Sequence, residues 1–247
     1  MILQKVGLPI ASSKTDAKRR DTLRKELARR RGDGRRERSQ LRLVLASGSP
    51  RRLTLLDQIG ITPDALRPAS IDETPRRGEM PRTLAARLAR SKAETSRDQI
   101  AEDPGLADAI VLAADTVVAV GSRILGKPEV VEQAVASLEL LSGRAHKVFT
   151  GVCVISPDDR LRTRIVETRI RFKRLSRREI EAYIASREWR GKAGGYAIQG
   201  LAGCFVQKLI GSYTNVVGLP LTEVSGLLAG EGYMLHAEWG SAAAVEA

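Results

Sequence analysis

Apolar residues first gather at Leu41, Leu43, Val44 and Leu45, a run that reads as a buried strand. The turn Ala46-Ser47-Gly48-Ser49 follows, and Pro50 stands where a first helical residue is favoured, with Ser49 as the expected cap. Leu53, Leu55, Leu56 and Ile59 lie at helical spacing, and Gly60 marks the end. After a Pro-rich link, Leu84, Arg87, Leu88 and Ser91-Lys92 predict a helix over 83–97. Residues 110–120 are almost wholly apolar up to Gly121, as in a strand covered on both faces. A helix through Val130, Val131, Ala134, Val135, Leu138 and Leu141 stops at Gly143, and 146–155 is another strand. Leu161, Thr163 and Ile165 alternate, then Val166, Thr168, Ile170 and Phe172 alternate one step out of phase. That slip predicts a long strand with a bulge. Ser176 and Glu179 form a capping box before Ile180, Tyr183 and Ile184. A hairpin-like 204–210, a Gly211-Ser212 turn and a short helix from about Thr222 complete the pattern. Strands and helices in this order predict an α/β fold.

The 247 residues are 43% hydrophobic and 28% charged, the balance of an ordinary globular domain. No apolar run approaches the roughly 20 residues of a membrane helix, which excludes a membrane span and a membrane partner. Two cysteines, Cys153 and Cys204, exclude a disulfide framework and a cysteine zinc site, as suits a reducing cytoplasmic setting. The net charge of +12 is unevenly spread: residues 1–40 hold 13 Lys or Arg against 5 Asp or Glu, leaving +4 on the other 207. This basic extension has too little apolar content to fold alone and is expected to be disordered or loosely helical, or to reflect a start codon placed upstream. It lacks the apolar core of a secretory signal. The domain reading is therefore 1–40 extension, 41–232 catalytic-sized domain and 233–247 tail.

The loop 46–52 carries the strongest chemical signal. A helix N-terminus presents free N–H groups and the positive end of its dipole to an anion. Ser47 and Ser49 add hydroxyls, while Arg51 and Arg52 point about 100° apart and so serve different parts of a ligand. Alone, the loop reads equally well as a capped helix with two solvated arginines. Asp115 is the second anomaly, a carboxylate in a core strand that must meet a cation, a metal or the open end of a sheet. Asp72 and Glu73 point to opposite sides of an extended link, so one of them serves a site. Lys92, Lys127 and Lys192 are each ordinary as surface charges. Together, two carboxylates, three lysines and two arginines match metal-assisted cleavage of a polyphosphate: carboxylates hold Mg²⁺ or Mn²⁺, and cations neutralise phosphate oxygens. His146 and His236 are the only histidines, which excludes HExxH and multi-histidine zinc chemistry. GxSxG, GxGxxG and Walker A patterns are absent.

Leu45 to Arg52, Ala114-Asp115-Thr116, Leu125-Gly126-Lys127-Pro128, Leu141-Ser142-Gly143, Tyr196 to Gly200 and Gly211-Ser212-Tyr213 through Asn215 to Pro220 together resemble the Maf family, in order across about 41–230. The resemblance implies an inosine-triphosphatase-like fold, an elongated mixed sheet with flanking helices, two lobes and a central cleft. It implies a cytoplasmic, divalent-cation-dependent nucleoside triphosphate pyrophosphatase, with a homodimer among its expected assemblies. Asp115 takes the proton-acceptor role, and Glu73 joins it in holding metal or water. Ser47, Arg52, Lys92 and Lys127 contact the triphosphate, with Lys192 as a further cation. Arg51, Thr116 and Gln199 look like the branch acting on dTTP and UTP; Gln199 can donate and accept, as a uracil or thymine edge requires. The alternatives are the 7-methyl-GTP branch, and a nucleotide-sensing regulator whose basic arm (residues 1–40) contacts nucleic acid. Gly191 departs from the Asp usual in the family at that place.

Overall fold

A computed structural model describes residues 41–235; the expectations for 1–40 and for 236–247 lie outside the described residues. Seven strands form one mixed sheet: β1 (Leu43–Leu45), β2 (Ala65–Leu66), β3 (Ile110–Val120), β4 (Arg123–Leu125), β5 (Ala145–Ile155), β6 (Leu161–Phe172) and β7 (Val206–Ile210). Their order is β2-β1-β3-β5-β6-β7, with β4 also beside β3. The flanking helices are α1 (Pro50–Gln58), α2 (Pro81–Ile100), α3 (Val131–Leu141), α4 (Arg177–Ser186), α5 (Tyr213–Val217) and α6 (Leu221–Gly230). Strands β1 and β2 run parallel to their neighbours, and the pairs along β3, β5, β6 and β7 are antiparallel.

Period-two alternation sorts the residues of β3 onto two faces. Val111 and Ala113 pack with Ala89 and Ala93 of α2, and Val117 and Ala119 with Leu84 and Leu88 of the same helix. On the opposite face, Ile110, Leu112 and Ala114 join Leu55 and Leu56 of α1 and Val224, Leu227 and Leu228 of α6. Further along that face, Val118 joins a second core with Leu138 of α3, Tyr183 of α4, Ile170 and Phe172. A polar seam separates the two cores: Thr116 and Thr150 share a 2.9 Å hydrogen bond, and the Asn215 amide donates to Thr168 Oγ1 at 2.9 Å.

The structure corrects several expectations. No bulge occurs at the phase slip in β6: Ile165 pairs with Gly151 and Val166 with Thr150 in unbroken register, and the only shift lies at Arg171/Phe172 against β7. The pattern changes phase because cover changes sides. Leu161 lies against the α2 core on one face, whereas Ile170 and Phe172 enter the second core on the other. The segment 204–210 is no hairpin; a 3₁₀ turn over Leu201–Phe205 leads into β7, and the chain after Gly211 enters α5. Ser49 sits at the N-cap of α1 without a side-chain capping bond. Tyr233 and Leu235 pack in the first core, so that core extends past the expected boundary at 232. The capping box at Ser176 and Glu179 forms as the pattern predicts.

Gly151 lies opposite Asp115 in the ladder, and a Cβ there would fall 2.3 Å from the carbonyl oxygen of Ala85 on α2. Helix α2 thus rests its backbone directly on the sheet beside Asp115. Gly151→Ala is expected to force the helix outward and to cost about 1–3 kcal/mol by overpacking, seen as a lower midpoint in urea denaturation.

Candidate active site

The middle of β3 has an open edge. Strand β1 pairs with β3 only at 110–112 and β4 only at 118–120, so residues 113–117 have no strand on that side among the described residues. Asp115 and Thr116 lie at the centre of this gap and point to opposite faces of the sheet.

On the α2 face, Lys92 is buried and its Nζ donates to Asp115 Oδ1 at 2.5 Å and to Glu73 Oε1 at 2.5 Å. Exposed Lys127, in the turn after β4, donates to Glu73 Oε2 at 2.7 Å. The result is a line of alternating charge, Lys127–Glu73–Lys92–Asp115. The side chains of Lys92 and Asp115 are only 10% and 8% exposed, whereas that of Glu73 is 41% exposed, so solvent enters from the Glu73 end. Burial works to raise the Glu73 pKa, but hydrogen bonds from Lys127 and Lys92 outweigh it and hold the carboxyl down at about 2. Asp72 turns away and accepts the Thr74 N–H at 2.9 Å.

On the other face, Arg52 is held from three sides. Its Nε donates to the Gly218 carbonyl at 2.8 Å, Nη1 donates to Ser47 Oγ at 3.0 Å, and Nη2 lies 3.5 Å from Thr116 Oγ1. Ser47 Oγ also accepts the Ser49 N–H at 3.2 Å, which shapes the loop before α1. Burial pushes the Arg52 guanidinium below its usual range, with the nearby Asp115 and Glu73 pulling it back up. The two faces therefore meet electrostatically at the open edge. Arg51 departs sideways: burial, then the like charge of Arg52, lowers it to about 10, while Tyr183 acts in the opposite sense. Its Nε is buried without a hydrogen-bond partner among the described residues.

Seven residues singled out in the sequence, Ser47, Arg52, Glu73, Lys92, Asp115, Thr116 and Lys127, are thus joined by contacts around one edge. Lys192 and Gln199 are not among these contacts. Lys192 Nζ donates to the Arg190 carbonyl at 3.1 Å, and Gln199 is exposed in the turn between two 3₁₀ segments. The sequence assigns no role to Thr150, nor to Asn215 and Gly218 beyond their place in the family motif; these brace the site through small polar side chains and a backbone carbonyl, which carry no charge signal. Glu79 carries no sequence signal either.

Among the described residues no group of three or more His, Cys, Asp or Glu gathers as a metal cage. The pair Glu73 and Asp115 nevertheless suits a hard cation. Both offer oxygen, both lie within reach of one ammonium, and Mg²⁺ typically takes one or two carboxylates with the remaining ligands from water and substrate phosphate.

Three cations and two carboxylates at the open edge of an α/β sheet are the complement of charges that suits a phosphate-processing hydrolase. Residues 42–231 match the family described as Maf-like protein, and the chain belongs to that family. A relative in Brucella abortus (strain 2308), named dTTP/UTP pyrophosphatase, is 63% identical over 202 residues, covering 82% of this chain and 97% of that protein. Relatives of the same name in Rhodopseudomonas palustris (strain BisB18) and Mesorhizobium japonicum are 61% and 62% identical over 198 residues, each covering 80% of this chain and 96% and 95% of those proteins. The solved Ham1 protein of Staphylococcus aureus aligns with a TM-score of 0.35 and 15% identity, over 53% of this chain and 71% of that one.

A depressed carboxyl stabilises the fold above its unfolded pKa and loses that contribution as pH falls through the folded value. The stability difference between the parent and Glu73→Gln is therefore expected to stay flat from pH 8 to about 5. It should then narrow towards zero as pH falls from about 4.5 to about 2, as read by urea denaturation at each pH.

Proposed function

We propose that the chain hydrolyses nucleoside triphosphates, dTTP and UTP foremost, to the monophosphate and pyrophosphate, and does so in the cytoplasm. The carrying observation is the Lys127–Glu73–Lys92–Asp115 line beside Arg52, three cations and two carboxylates at one open edge. The names and high identity of the relatives point the same way.

In this reading the triphosphate enters along the Glu73 end, where the site is wettest. Arg52 arrives pre-oriented by Ser47 and Gly218, so binding a phosphate oxygen requires little reorganisation. Lys92 and Lys127 take further oxygens. Glu73 and Asp115 would hold a divalent cation, Mg²⁺ or Mn²⁺, which when bound supplies an acidified water and offsets phosphate charge. Lys92 occupies Asp115 Oδ1, leaving Oδ2 as the atom that accepts the proton of the attacking water. The bond from water oxygen to phosphorus forms, the α–β anhydride bond breaks, and pyrophosphate leaves with its charge met by the lysines. Arg51, Thr116 and Gln199 face the choice of base, Gln199 through an amide that both donates and accepts.

Asp115→Asn keeps the shape and one acceptor but removes the basic oxygen. Pyrophosphate release from dTTP and UTP, measured with Mg²⁺ and with Mn²⁺, is expected to fall by at least about 100-fold with the thermal midpoint little changed. Turnover equal to the parent's would remove Asp115 from the chemistry, and faster turnover of 7-methyl-GTP than of dTTP would reassign the substrate.

A further inference from the structure

Glu73 stands in a stretch from 67 to 80 that contains no helix or strand, yet it must present both carboxylate oxygens to two lysines. What holds it there is not in the site. Arg87, on α2, donates through Nε to Glu79 Oε1 at 2.8 Å and through Nη2 to Glu79 Oε2 at 2.8 Å, a bidentate fork. The same Nη2 donates to the Thr74 carbonyl at 3.0 Å, and Glu79 Oε2 also accepts the Arg76 N–H at 2.9 Å. Thr74 therefore has its carbonyl on Arg87 and its N–H on Asp72. The side chains of Glu79 and Arg87 are only 6% and 19% exposed although most of the link around them is exposed. A surface ion pair would be loosely held; this one is largely covered and bonded to the backbone at both Thr74 and Arg76.

We propose that Arg87 and Glu79 are positioning residues for Glu73: their clasp fixes the 72–79 link to the helix that carries Lys92, so that the Glu73 carboxylate is delivered to Lys92 and Lys127 without a search. The proposal deepens the pyrophosphatase reading and rests on it. Neither residue touches the reacting groups; the clasp acts by removing the conformational freedom of the residue next to Glu73. Lysine cannot replace Arg87, because a single ammonium cannot bridge two carboxylate oxygens and a carbonyl with fixed fork geometry.

Arg97 supplies the control. It lies on the same helix and makes a comparable set of bonds, to Asp159 and to the carbonyls of Ala107, Ala109 and Pro157, with none to the 72–79 link. The full chain would be assayed with dTTP and Mn²⁺ as Arg87→Ala, Arg87→Lys and Arg97→Ala, with amide hydrogen exchange followed over residues 72–79. Both alanine variants are expected to lower the thermal midpoint. Only the Arg87 variants should lose kcat, by about 10–100-fold with KM for dTTP within about twofold, the size of loss typical when an outer partner of a metal-binding carboxylate is removed. Exchange over 72–79 should quicken in those variants alone, and free guanidinium should restore part of the turnover of Arg87→Ala but not of Arg97→Ala. Turnover in Arg87→Ala matching that in Arg97→Ala, or unchanged exchange over 72–79, would overturn the clasp. A parent that releases no pyrophosphate would sink the proposed activity instead, and hydrogen exchange would still decide the clasp.

Discussion

One ammonium organises the site. Asp115 is buried in a strand whose residues 110–114 and 117–119 are core, and a carboxylate in that place is tolerable only with a cation against it. Lys92 supplies the cation, and its second bond draws Glu73 from an irregular link into the same small volume. Buried ion pairs are weak devices for stability, since hydrophobic residues of similar size serve as well or better. The pair is therefore better understood by what it holds ready: two carboxylates brought together against their mutual repulsion, with solvent admitted on the Glu73 side. Gly151 belongs to the same arrangement, because only a residue without a side chain lets α2 come close enough for Lys92 to span that distance.

Strand length makes the room. Strands β1 and β4 have three residues each beside the eleven of β3 and leave the middle of its edge uncovered. An unpaired edge is usually a hazard for aggregation. Here charged side chains occupy it instead: Arg52, held by Ser47 of the loop before α1, reaches Thr116, and Lys127 connects to Asp115 through Glu73 and Lys92. Because consecutive strand residues face opposite sides, Asp115 serves the α2 face while Thr116 serves the Arg52 face, and an edge is the one place on a sheet where both can meet a single ligand. The polar seam continues the Thr116 side inward, Thr150 accepting from Thr116 and donating to the Asn215 carbonyl at 3.0 Å, so the two hydrophobic cores are divided beside the open edge.

Much of this was legible in the chain because strong signals coincide with strong physics. The apolar run of β3 and the helical stripe of α2 are long, and Asp115 stood out by interrupting one of them. Alternation along an extended link implied that only one of Asp72 and Glu73 serves the site, and the family resemblance singled out Glu73. Two-residue β2 and three-residue β4 carry too few positions for any period to register. The false bulge in β6 arose from reading a change of phase as a change of backbone; the sheet instead swaps which face is covered. The pairing of Glu79 with Arg87 was invisible for another reason: Arg87 read only as part of a helical stripe, and Glu79, eight residues earlier and just before α2, becomes its partner only when the end of the link packs along the helix.

In the proposed reading, the two arginines divide the ligand between a rigid end and an adaptable one. Arg52 has contacts on Nε, Nη1 and Nη2 before any ligand arrives, so its position is set by the protein. Arg51 is half-buried with an orphaned Nε, and an unmet buried donor costs on the order of 1–3 kcal/mol. That cost is recovered if an acceptor enters beside it. Phosphate groups are alike in every nucleoside triphosphate, whereas bases differ in where they offer acceptors. In that reading a fixed guanidinium at the triphosphate and an unsatisfied one nearer Tyr183 place rigidity where the substrate is constant. They leave free energy to be gained where substrates differ, and only a base with an acceptor in the right place can collect it.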